Sequence, residues 1–275
     1  MTDSTLTTST TPSATPDGYA GLRVEKRGHT AVVTLTNPPA HTWTDASLSA
    51  LTRLVGDLNA DRDIYALVIT GDGEKFFSAG ADLKLFADGD KGRAATMAKR
   101  FGDAFEALAG FRGVSIAAIN GYAMGGGLEC ALACDLRIAE SHAVMALPEA
   151  AVGLLPCAGG TQWLSWTVGE SWAKRMVLLG ERVDAETALR IGLADELAPK
   201  GESLTKALQW AERVQAQSPT SVAACKRLIQ GARHAPPWSQ LPAEREAFIA
   251  LFDTEDQREG VQAFLGKRSP QWRNG

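Results

Sequence analysis

One local pattern recurs along the N-terminal and central parts of the chain. A short apolar run is followed by a loop that contains glycine and then by residues with helical spacing of apolar side chains, first at 65–70 and again at 114–119. A third and weaker cycle begins at 136–139. Short apolar runs bounded by turns are typical of strands buried on both faces, and strands that alternate with helices form parallel sheets. The pattern therefore predicts an α/β core built from parallel strands.

The segments on either side of this core have their own patterns. Apolar stretches at 22–24 and 31–35 flank a turn, which predicts a β-hairpin. Thr44 and Asp45 offer an N-cap to a helix with regularly spaced apolar residues. After about residue 200 the pattern changes to four helical stretches with prolines between them. They are 204–217, 220–232, 243–252 and 257–265, and the prolines are Pro219, Pro236, Pro237 and Pro242.

We therefore divide the chain into three parts. Residues 1–17 are expected to be a flexible tail rich in Ser and Thr, residues 18–200 an α/β core that contains the active site, and residues 201–275 a helical region. The tail lacks the basic and apolar segments of a signal peptide and the arginines of a transit peptide. The sequence therefore predicts a cytoplasmic protein.

The composition excludes several classes of function. With 28 Lys and Arg against 32 Asp and Glu, and a net charge of −4, the chain has no basic field for a nucleic-acid backbone or an anionic lipid surface. Its four cysteines are too few for a disulfide scaffold. The uncharged run at 150–169 has the length of a membrane span, but its Gly and Pro residues favour loop and turn. We therefore expect neither nucleic acid nor a membrane as a partner.

Two loops carry small residues where a strand is expected to lead into a helix, at 77–84 and 120–129. The second contains three consecutive glycines at 125–127. Glycine lets a ligand approach the bare backbone, and the first N–H groups of a helix have no partner within that helix. Because the helix dipole favours negative charge at this end, the loop predicts an oxyanion site. A tight turn without a ligand is the alternative.

Glu129 and Glu149 are the acidic residues that we associate with this loop. Glu129 follows Gly126 by close to one helical turn and lies among the apolar residues of 128–134, where a charge is costly unless it has a partner or a function. Glu149 comes twenty residues later, ahead of another segment that contains glycine. Two carboxyl groups near an oxyanion site favour general acid–base chemistry beside a carbonyl.

Other reactive residues form no such pattern. The four histidines lack the spacing of paired metal ligands, so we predict no metal site. Cys130 and Cys134 share a helix face without a histidine nearby, and we assign both thiols to the core. Cys157 has no neighbour in the sequence that would activate it. The GxGxxG, GxxxxGK[ST] and GxSxG patterns of nucleotide sites and nucleophile elbows are also absent from the sequence.

The motifs resemble those of the enoyl-CoA hydratase/isomerase (crotonase) superfamily, and most of all a bacterial-type enoyl-CoA hydratase. The resemblance covers about residues 22–272, and its specific parts are 77–84, 120–129, and 147–149 with 156–161. It implies a crotonase (ClpP-like) α/β fold, which is a spiral of repeated ββα units with a C-terminal helical trimerisation region. It also implies a homotrimer or a homohexamer made of two trimers.

The same resemblance implies an acyl-CoA thioester as substrate and assigns the site. The backbone N–H groups of Ala81 and Gly126 would hold the thioester oxygen, and Glu129 and Glu149 would be the catalytic acids. The residues expected to contact coenzyme A are Ala79, Ala81, Asp82, Leu83, Lys84 and Gly126, with Phe264 and Lys267 reaching it from a neighbouring subunit. Coenzyme A enters only as part of the substrate, and no metal or redox cofactor is implied.

The presence of both acids favours hydration of a 2-enoyl-CoA to a 3-hydroxyacyl-CoA. In this mechanism Glu129 takes a proton from water and Glu149 delivers one to Cα. The alternatives are a Δ3-Δ2-enoyl-CoA isomerase, which moves a proton without consuming water, and a non-catalytic scaffold of the same fold that binds acyl-CoA or RNA. At four positions the residue differs from the one that is frequent in the family, so the resemblance does not predict which acyl group is preferred. These positions are His41 (often Asn), Met145 (Phe), Cys157 (Gly) and Trp163 (Arg).

Overall fold

The structure is a computed structural model that describes residues 18–275, so the tail predicted at 1–17 lies outside the described residues. Within the described residues a six-stranded sheet has the order β1-β2-β3-β5-β7-β10 and a four-stranded sheet has the order β4-β6-β8-β9. The strands are β1 Leu22–Arg27, β2 Thr30–Leu35, β3 Ala66–Gly71, β4 Phe76–Ser78, β5 Val114–Ile119, β6 Tyr122–Met124, β7 Leu136–Glu140, β8 Val144–Ala146, β9 Val183–Asp184 and β10 Glu196–Ala198. Strands β1 and β2 form the predicted antiparallel hairpin.

The strand pairing confirms the predicted spiral of ββα units. From β2 to β10 all neighbours in the large sheet are parallel. The strand that follows β3, β5 or β7 in the chain crosses to the small sheet, where β4, β6 and β8 are parallel neighbours. All six residues of β3 are buried, as expected for a strand covered on both faces.

Helices follow these strand pairs and then make up most of the C-terminal region. The α-helices of the described residues are α1 Asp45–Ala60, α2 Lys91–Ala109, α3 Gly126–Ala133, α4 Gly160–Leu178, α5 Ala185–Arg190, α6 Ser203–Gln215, α7 Pro219–Gly231, α8 Pro237–Ala250 and α9 Glu255–Leu265. Short 3₁₀ turns lie at Leu83–Phe86, Glu149–Val152 and Leu251–Asp253. Thr44 caps α1 as predicted, because its hydroxyl accepts a hydrogen bond from the Ser47 N–H at 3.2 Å.

The main core reaches directly beneath the glycine loop at 125–127. Trp43, Phe77 and Phe105 are among its largest fully buried side chains. The rings of Trp43 and Phe105 meet edge to face, with centroids 5.4 Å apart. A Cβ built on Gly126 would lie 3.6 Å from Cδ1 of Trp43. The start of α3 therefore rests on rigid, well-packed aromatic side chains.

Helix α6 follows the predicted boundary near residue 200 and covers the outer face of the large sheet. Its Ala207 and Ala211 share a second buried cluster with strand residues such as Val68 and Ile116. The next helix, α7, is tied to the core because Lys226 Nζ donates a hydrogen bond to the Asp135 carboxylate at 2.7 Å. The division of the chain at residue 200 stays a prediction.

Two details of the sequence interpretation need correction. Pro219, Pro237 and Pro242 are predicted to lie between helices, which is wrong, because α7 begins at Pro219 and α8 contains the other two. Pro237 lies in the first turn, where its missing N–H would have no acceptor, and Pro242 removes only one hydrogen bond near the helix start. The loop predicted for 150–169 ends at Gly159, because α4 begins at the next residue. None of the helices in residues 18–275 combines the length and apolar character that a membrane span requires.

Candidate active site

A cavity of about 700 Å³ lies at the carboxyl ends of β4, β6 and β8. Parallel strands end at the same edge of a sheet, so the segments that follow them converge there. The loop after β4 contributes Ala79 and Ala81, the segment after β6 contributes Gly126, and the loop after β8 contributes Glu149. Helix α2 supplies a further wall through residues that include Ala94 and Phe101.

Gly80 lets the first of these loops pack against the second. Its φ is +89°, in the left-handed region that favours glycine. A Cβ at this position would lie 2.7 Å from the carbonyl oxygen of Met124 and 3.1 Å from the nitrogen of Gly126. Any side chain here would therefore push the two loops apart.

Two backbone N–H groups at the cavity are without an acceptor. The Ala81 N–H makes no hydrogen bond to any group of residues 18–275. Gly126 is the first residue of α3, where an N–H has no acceptor within its own helix. Both residues line the cavity. Two fixed donors, one of them at the positive end of a helix dipole, suit an oxygen on which negative charge develops.

Glycine is also required where α3 starts against β4. A Cβ on Gly127 would lie 2.2 Å from the carbonyl oxygen of Ser78, and a Cβ on Gly126 would lie 2.8 Å from Cε1 of Phe101. Real Cβ atoms do not come this close to other heavy atoms. The run of three glycines therefore brings the helix start into direct contact with the strand that precedes the first loop.

Glu129 is fixed in the wall of the cavity by two backbone hydrogen bonds. Its side chain projects from α3 and the residue is 2% exposed. Oε1 accepts hydrogen bonds from the N–H groups of Ala158 at 2.8 Å and Gly160 at 2.9 Å. Burial raises the pKa of this carboxyl group, and the two donors act in the opposite direction. The carboxylate therefore has a partner, as its apolar sequence surroundings require.

Glu149 lies in a 3₁₀ turn on the same cavity and keeps one oxygen without a partner. Its Oε2 is buried and accepts no hydrogen bond from residues 18–275. Burial raises the pKa of Glu149 to about 7, opposed by its own backbone N–H and reinforced by the charge of Glu129. Its Oε1 would be 2.8 Å from a Cβ built on Gly125, so the carboxyl group contacts the glycine loop. Near neutral pH this group can either hold or release a proton.

The match with a family model now decides which proteins the chain belongs with. A model described as enoyl-CoA hydratase/isomerase matches residues 25–275. The chain belongs to the enoyl-CoA hydratase/isomerase family. This confirms the family, the fold class and the expectation of an enzyme.

Individual members of the family resemble the chain over nearly its whole length. The 2,3-dehydroadipyl-CoA hydratase of Escherichia coli (strain K12) is 38% identical over 255 residues, which are 92% of this chain and 98% of that protein. The short-chain-enoyl-CoA hydratase of Clostridium acetobutylicum is 35% identical and covers 89% of this chain and 94% of its own. The structure of Pseudomonas aeruginosa DspI is 66% identical and superposes with a TM-score of 0.91, covering 94% of this chain and 98% of that one.

Four of the residues that the family resemblance assigns to coenzyme A do not line the cavity. Asp82 instead caps the 3₁₀ turn at 83–86 by accepting a hydrogen bond from the Lys84 N–H at 3.1 Å. Phe264 is 83% exposed near the end of α9, and Lys267 follows that helix. A contact of Phe264 and Lys267 with coenzyme A needs a second subunit and stays a prediction. The remaining predicted residue, Leu83, does line the cavity.

The sequence interpretation missed several residues of the cavity. On α2, Ala94, Ala98 and Phe101 follow one another at helical spacing, and this stripe of small and apolar residues is a signal that could have been found. Nothing in the local sequence indicates that Arg182, which precedes β9, also lines the cavity. Met124, Gly125, Pro148 and Cys157 also line the cavity and belong to the motifs singled out in the sequence, although no contact with the substrate was assigned to them. The other lining residues without an assignment are Phe86, Ala151, Val152, Gly153, Leu154 and Leu155.

The cysteines and metal-binding residue types form no further centre. Cys130 and Cys134 are buried, and burial raises both thiol pKa values, that of Cys134 to about 12. Burial, Glu129 and Glu149 raise the pKa of Cys157 to about 11, so this thiol stays protonated near neutral pH. No group of three or more His, Cys, Asp or Glu side chains in residues 18–275 could hold a metal ion.

Proposed function

We propose that the protein is an enoyl-CoA hydratase that adds water reversibly across the 2,3 double bond of a 2-enoyl-CoA thioester. The observation that carries this proposal is the pairing of Glu129 and Glu149 in one cavity with the free N–H groups of Ala81 and Gly126. The relatives named as hydratases of CoA thioesters support the reaction class. The names of these two relatives specify different acyl groups, so the proposal is restricted to the reaction and the 2-enoyl-CoA thioester.

The two N–H groups supply the electrostatic part of catalysis. Attack of water on Cβ of an enoyl thioester moves negative charge onto the thioester oxygen, giving an enolate-like state. Donors held at that oxygen before the reaction stabilise this state more than they stabilise the ground state. Loss of one such donor typically costs about 3 kcal/mol of transition-state stabilisation.

The environments of the two acids favour different roles. Two backbone donors fix Oε1 of Glu129 and favour its carboxylate form against the effect of burial, which suits orienting the water and taking its proton as it attacks Cβ. Glu149, with a pKa raised to about 7 by burial, is suited to carry a proton and deliver it to Cα. The roles exchange when the reaction runs in reverse. Each proton transfer contributes on the order of 10²–10⁴ in rate.

Hydration is favoured over isomerisation because the cavity contains a second acid. A Δ3-Δ2-enoyl-CoA isomerase moves one proton between carbons, which a single carboxylate can do. Crotonyl-CoA distinguishes the two activities. Loss of the conjugated enoyl-thioester absorbance supports the hydratase. Unchanged crotonyl-CoA together with conversion of a 3-enoyl-CoA would instead identify an isomerase.

A non-catalytic scaffold is the remaining alternative, and the two acids oppose it. Placing a 2% exposed glutamate and a second half-buried one beside an apolar cavity is costly without a reaction to carry out. A scaffold would bind an acyl-CoA and convert neither of the two test substrates. The rest of the proposal is a cytoplasmic homotrimer or homohexamer that uses no cofactor apart from the coenzyme A of its substrate.

The raised pKa of Glu149 predicts a pH-dependent cost in stability. Its pKa is about 7 in the folded protein against an ordinary value of 4.5. Between these pH values Glu149 binds more protons in the folded state than in the unfolded state, so its contribution to stability falls as the pH rises from 4.5 to 7. The difference between the two pKa values corresponds to about 3 kcal/mol of unfolding free energy for a fully buried group. The partial exposure of Glu149 reduces this cost to about 1–2 kcal/mol.

We therefore expect Glu149→Gln to unfold at higher denaturant concentration than the parent protein at about pH 8, and to lose this advantage at about pH 5. Urea titrations at fixed protein concentration measure both values. Glu212→Gln, which changes an exposed glutamate of α6, is the matched control. Equal pH dependence of the parent and Glu149→Gln would contradict the expectation.

A further inference from the structure

The loop that carries the Ala81 N–H has no side chain able to orient it. Residues 79–81 are Ala, Gly and Ala. Gly80 adopts a left-handed φ of +89° and so has wide conformational freedom. The direction of the Ala81 N–H must therefore be set by groups outside these three residues.

The hydroxyl group of Ser78 connects this loop to a second segment of the chain. Ser78 is fully buried. Its Oγ donates a hydrogen bond to the carbonyl oxygen of His41 at 2.7 Å and accepts one from the Gly80 N–H at 3.2 Å. A hydroxyl has one proton and two lone pairs, so it can make both bonds at once. The donated bond fixes the oxygen that holds Gly80.

Backbone hydrogen bonds complete the connection. The Ala79 N–H donates to the carbonyl oxygen of Ala40 at 2.9 Å, and the Trp43 N–H donates to the carbonyl oxygen of Gly80 at 2.8 Å. In a trans peptide the N–H points away from the preceding C=O. Because the Gly80 carbonyl is turned towards Trp43, the Ala81 N–H of the same peptide unit is turned away from it. The orientation of the proposed oxyanion donor therefore depends on segment 40–43.

The position of His41 is itself tightly determined. The residue is 7% exposed and has a φ of +53°, which non-glycine residues seldom adopt. Its ring Nε2 lies 2.8 Å from the carbonyl oxygen of Asp72, and because a carbonyl only accepts, Nε2 is assigned the proton. The ring bond and the backbone bond from His41 N to the Asn37 carbonyl oxygen, 2.7 Å, keep the His41 carbonyl facing Ser78.

We propose that Ser78, held by the backbone of His41, is a positioning residue that aims the Ala81 N–H at the thioester oxygen. This inference rests on the proposed function, since it needs an oxyanion at the cavity. Ser78 does not line the cavity and acts through Gly80. Ser78 is therefore expected to stabilise the enolate-like state and not to contribute to binding of the CoA part of the substrate.

Ser78→Ala tests this inference through kinetics. Without the hydroxyl, the Gly80 N–H and the His41 carbonyl lose their common partner and the Gly80–Ala81 peptide can rotate. We expect kcat for crotonyl-CoA to fall by at least about tenfold, with KM changed by less than about twofold, because complete loss of an oxyanion donor costs about 10²–10³. Ser78→Cys, which keeps a weak S–H donor, should recover part of the loss.

Ser203→Ala is the matched control. Ser203 is also buried and lies at the start of α6. Its Oγ donates a hydrogen bond at 2.7 Å to Glu140, which is the last residue of β7 in the large sheet. This variant loses a buried serine hydroxyl and its hydrogen bond to a carboxylate, and it leaves the loops at 77–84 and 120–129 unchanged. If Ser78 were only structural, both variants would show similar loss of thermal stability and similar kcat. The inference is overturned when Ser78→Ala keeps kcat within about twofold of the parent while remaining folded.

A binding measurement separates failure of this inference from failure of the proposed function. Acetoacetyl-CoA forms an enolate whose ultraviolet band is readily seen, and donors at the thioester oxygen increase the enolate fraction of the bound ligand. We expect this fraction to be lower in Ser78→Ala and unchanged in Ser203→Ala. The enolate fraction is measured without turnover, so this test remains valid even if the parent protein fails to hydrate crotonyl-CoA. Equal enolate fractions in Ser78→Ala and the parent would reject the positioning role.

Discussion

Changing Glu129 to glutamine is expected to lower kcat for crotonyl-CoA hydration by about 10²–10⁴-fold. The amide oxygen of glutamine can still accept hydrogen bonds from the Ala158 and Gly160 N–H groups, which now hold Oε1 of the carboxylate. The cavity wall should therefore keep its shape while the proposed base is lost. The initial rate of loss of enoyl-thioester absorbance measures the effect.

The companion variants decide whether two acids act together. Glu149→Gln should lose a comparable factor in kcat, and the double variant should lose less than the product of the two single losses, because in the proposed mechanism both acids act on the same water and substrate. Binding of CoA should be spared in each variant. Glu212→Gln should retain the parent rate. Near-normal hydration by either single variant would rule out the two-acid mechanism.

Changing Gly127 to alanine is expected to destabilise the protein by about 3 kcal/mol or more and to abolish most of its activity. The added Cβ would lie 2.2 Å from the carbonyl oxygen of Ser78, and that oxygen belongs to the backbone of β4, which cannot rotate away. The start of α3 must then move off the strand. This displaces the Gly126 N–H and the segment that leads to Glu129. Urea unfolding and crotonyl-CoA turnover measure the two effects.

Gly102→Ala is the control for this variant. Gly102 lies within α2, where the nearest atom to an added Cβ is the flexible Oε1 of Glu106 at 3.6 Å. Alanine is the better helix former by about 0.5–1 kcal/mol, so this variant should be slightly more stable and fully active. Equal stability and equal activity of the two alanine variants would show that the close contact between α3 and β4 determines neither property.

The strands and helices with strong periodicity could be predicted from the sequence, and the short ones could not. The apolar runs at 65–70 and 114–119 match β3 and β5 to within one residue. A short run that is apolar on both faces is typical of a buried strand. The small sheet is implied by the family resemblance and could not be predicted from the sequence pattern alone, since β4, β6 and β8 have three residues each. Three residues cannot display a period, and their pairing is decided by contacts between distant segments.

The site shows the same division between local and distant information. Glu129 could be singled out because a charge among apolar residues needs a partner. That its partners are the N–H groups of Ala158 and Gly160 could not be predicted, because these lie 29 and 31 residues further along the chain. The link from Ser78 to His41 spans 37 residues and was likewise beyond sequence patterns. Arg182 reaches the cavity only through the antiparallel pairing of β9 with β8.

Each of three successive repeats delivers at least one group of the candidate site to the same place. The strand β4 leads to Ala81, β6 leads to Gly126 and Glu129, and β8 leads to Glu149. No fragment that lacks one of these repeats can assemble a working centre, even if the part that remains is well folded. Turnover is therefore a stringent reporter of complete folding, and during refolding it should return only with the last repeat to dock, later than signals that follow helix or strand content alone.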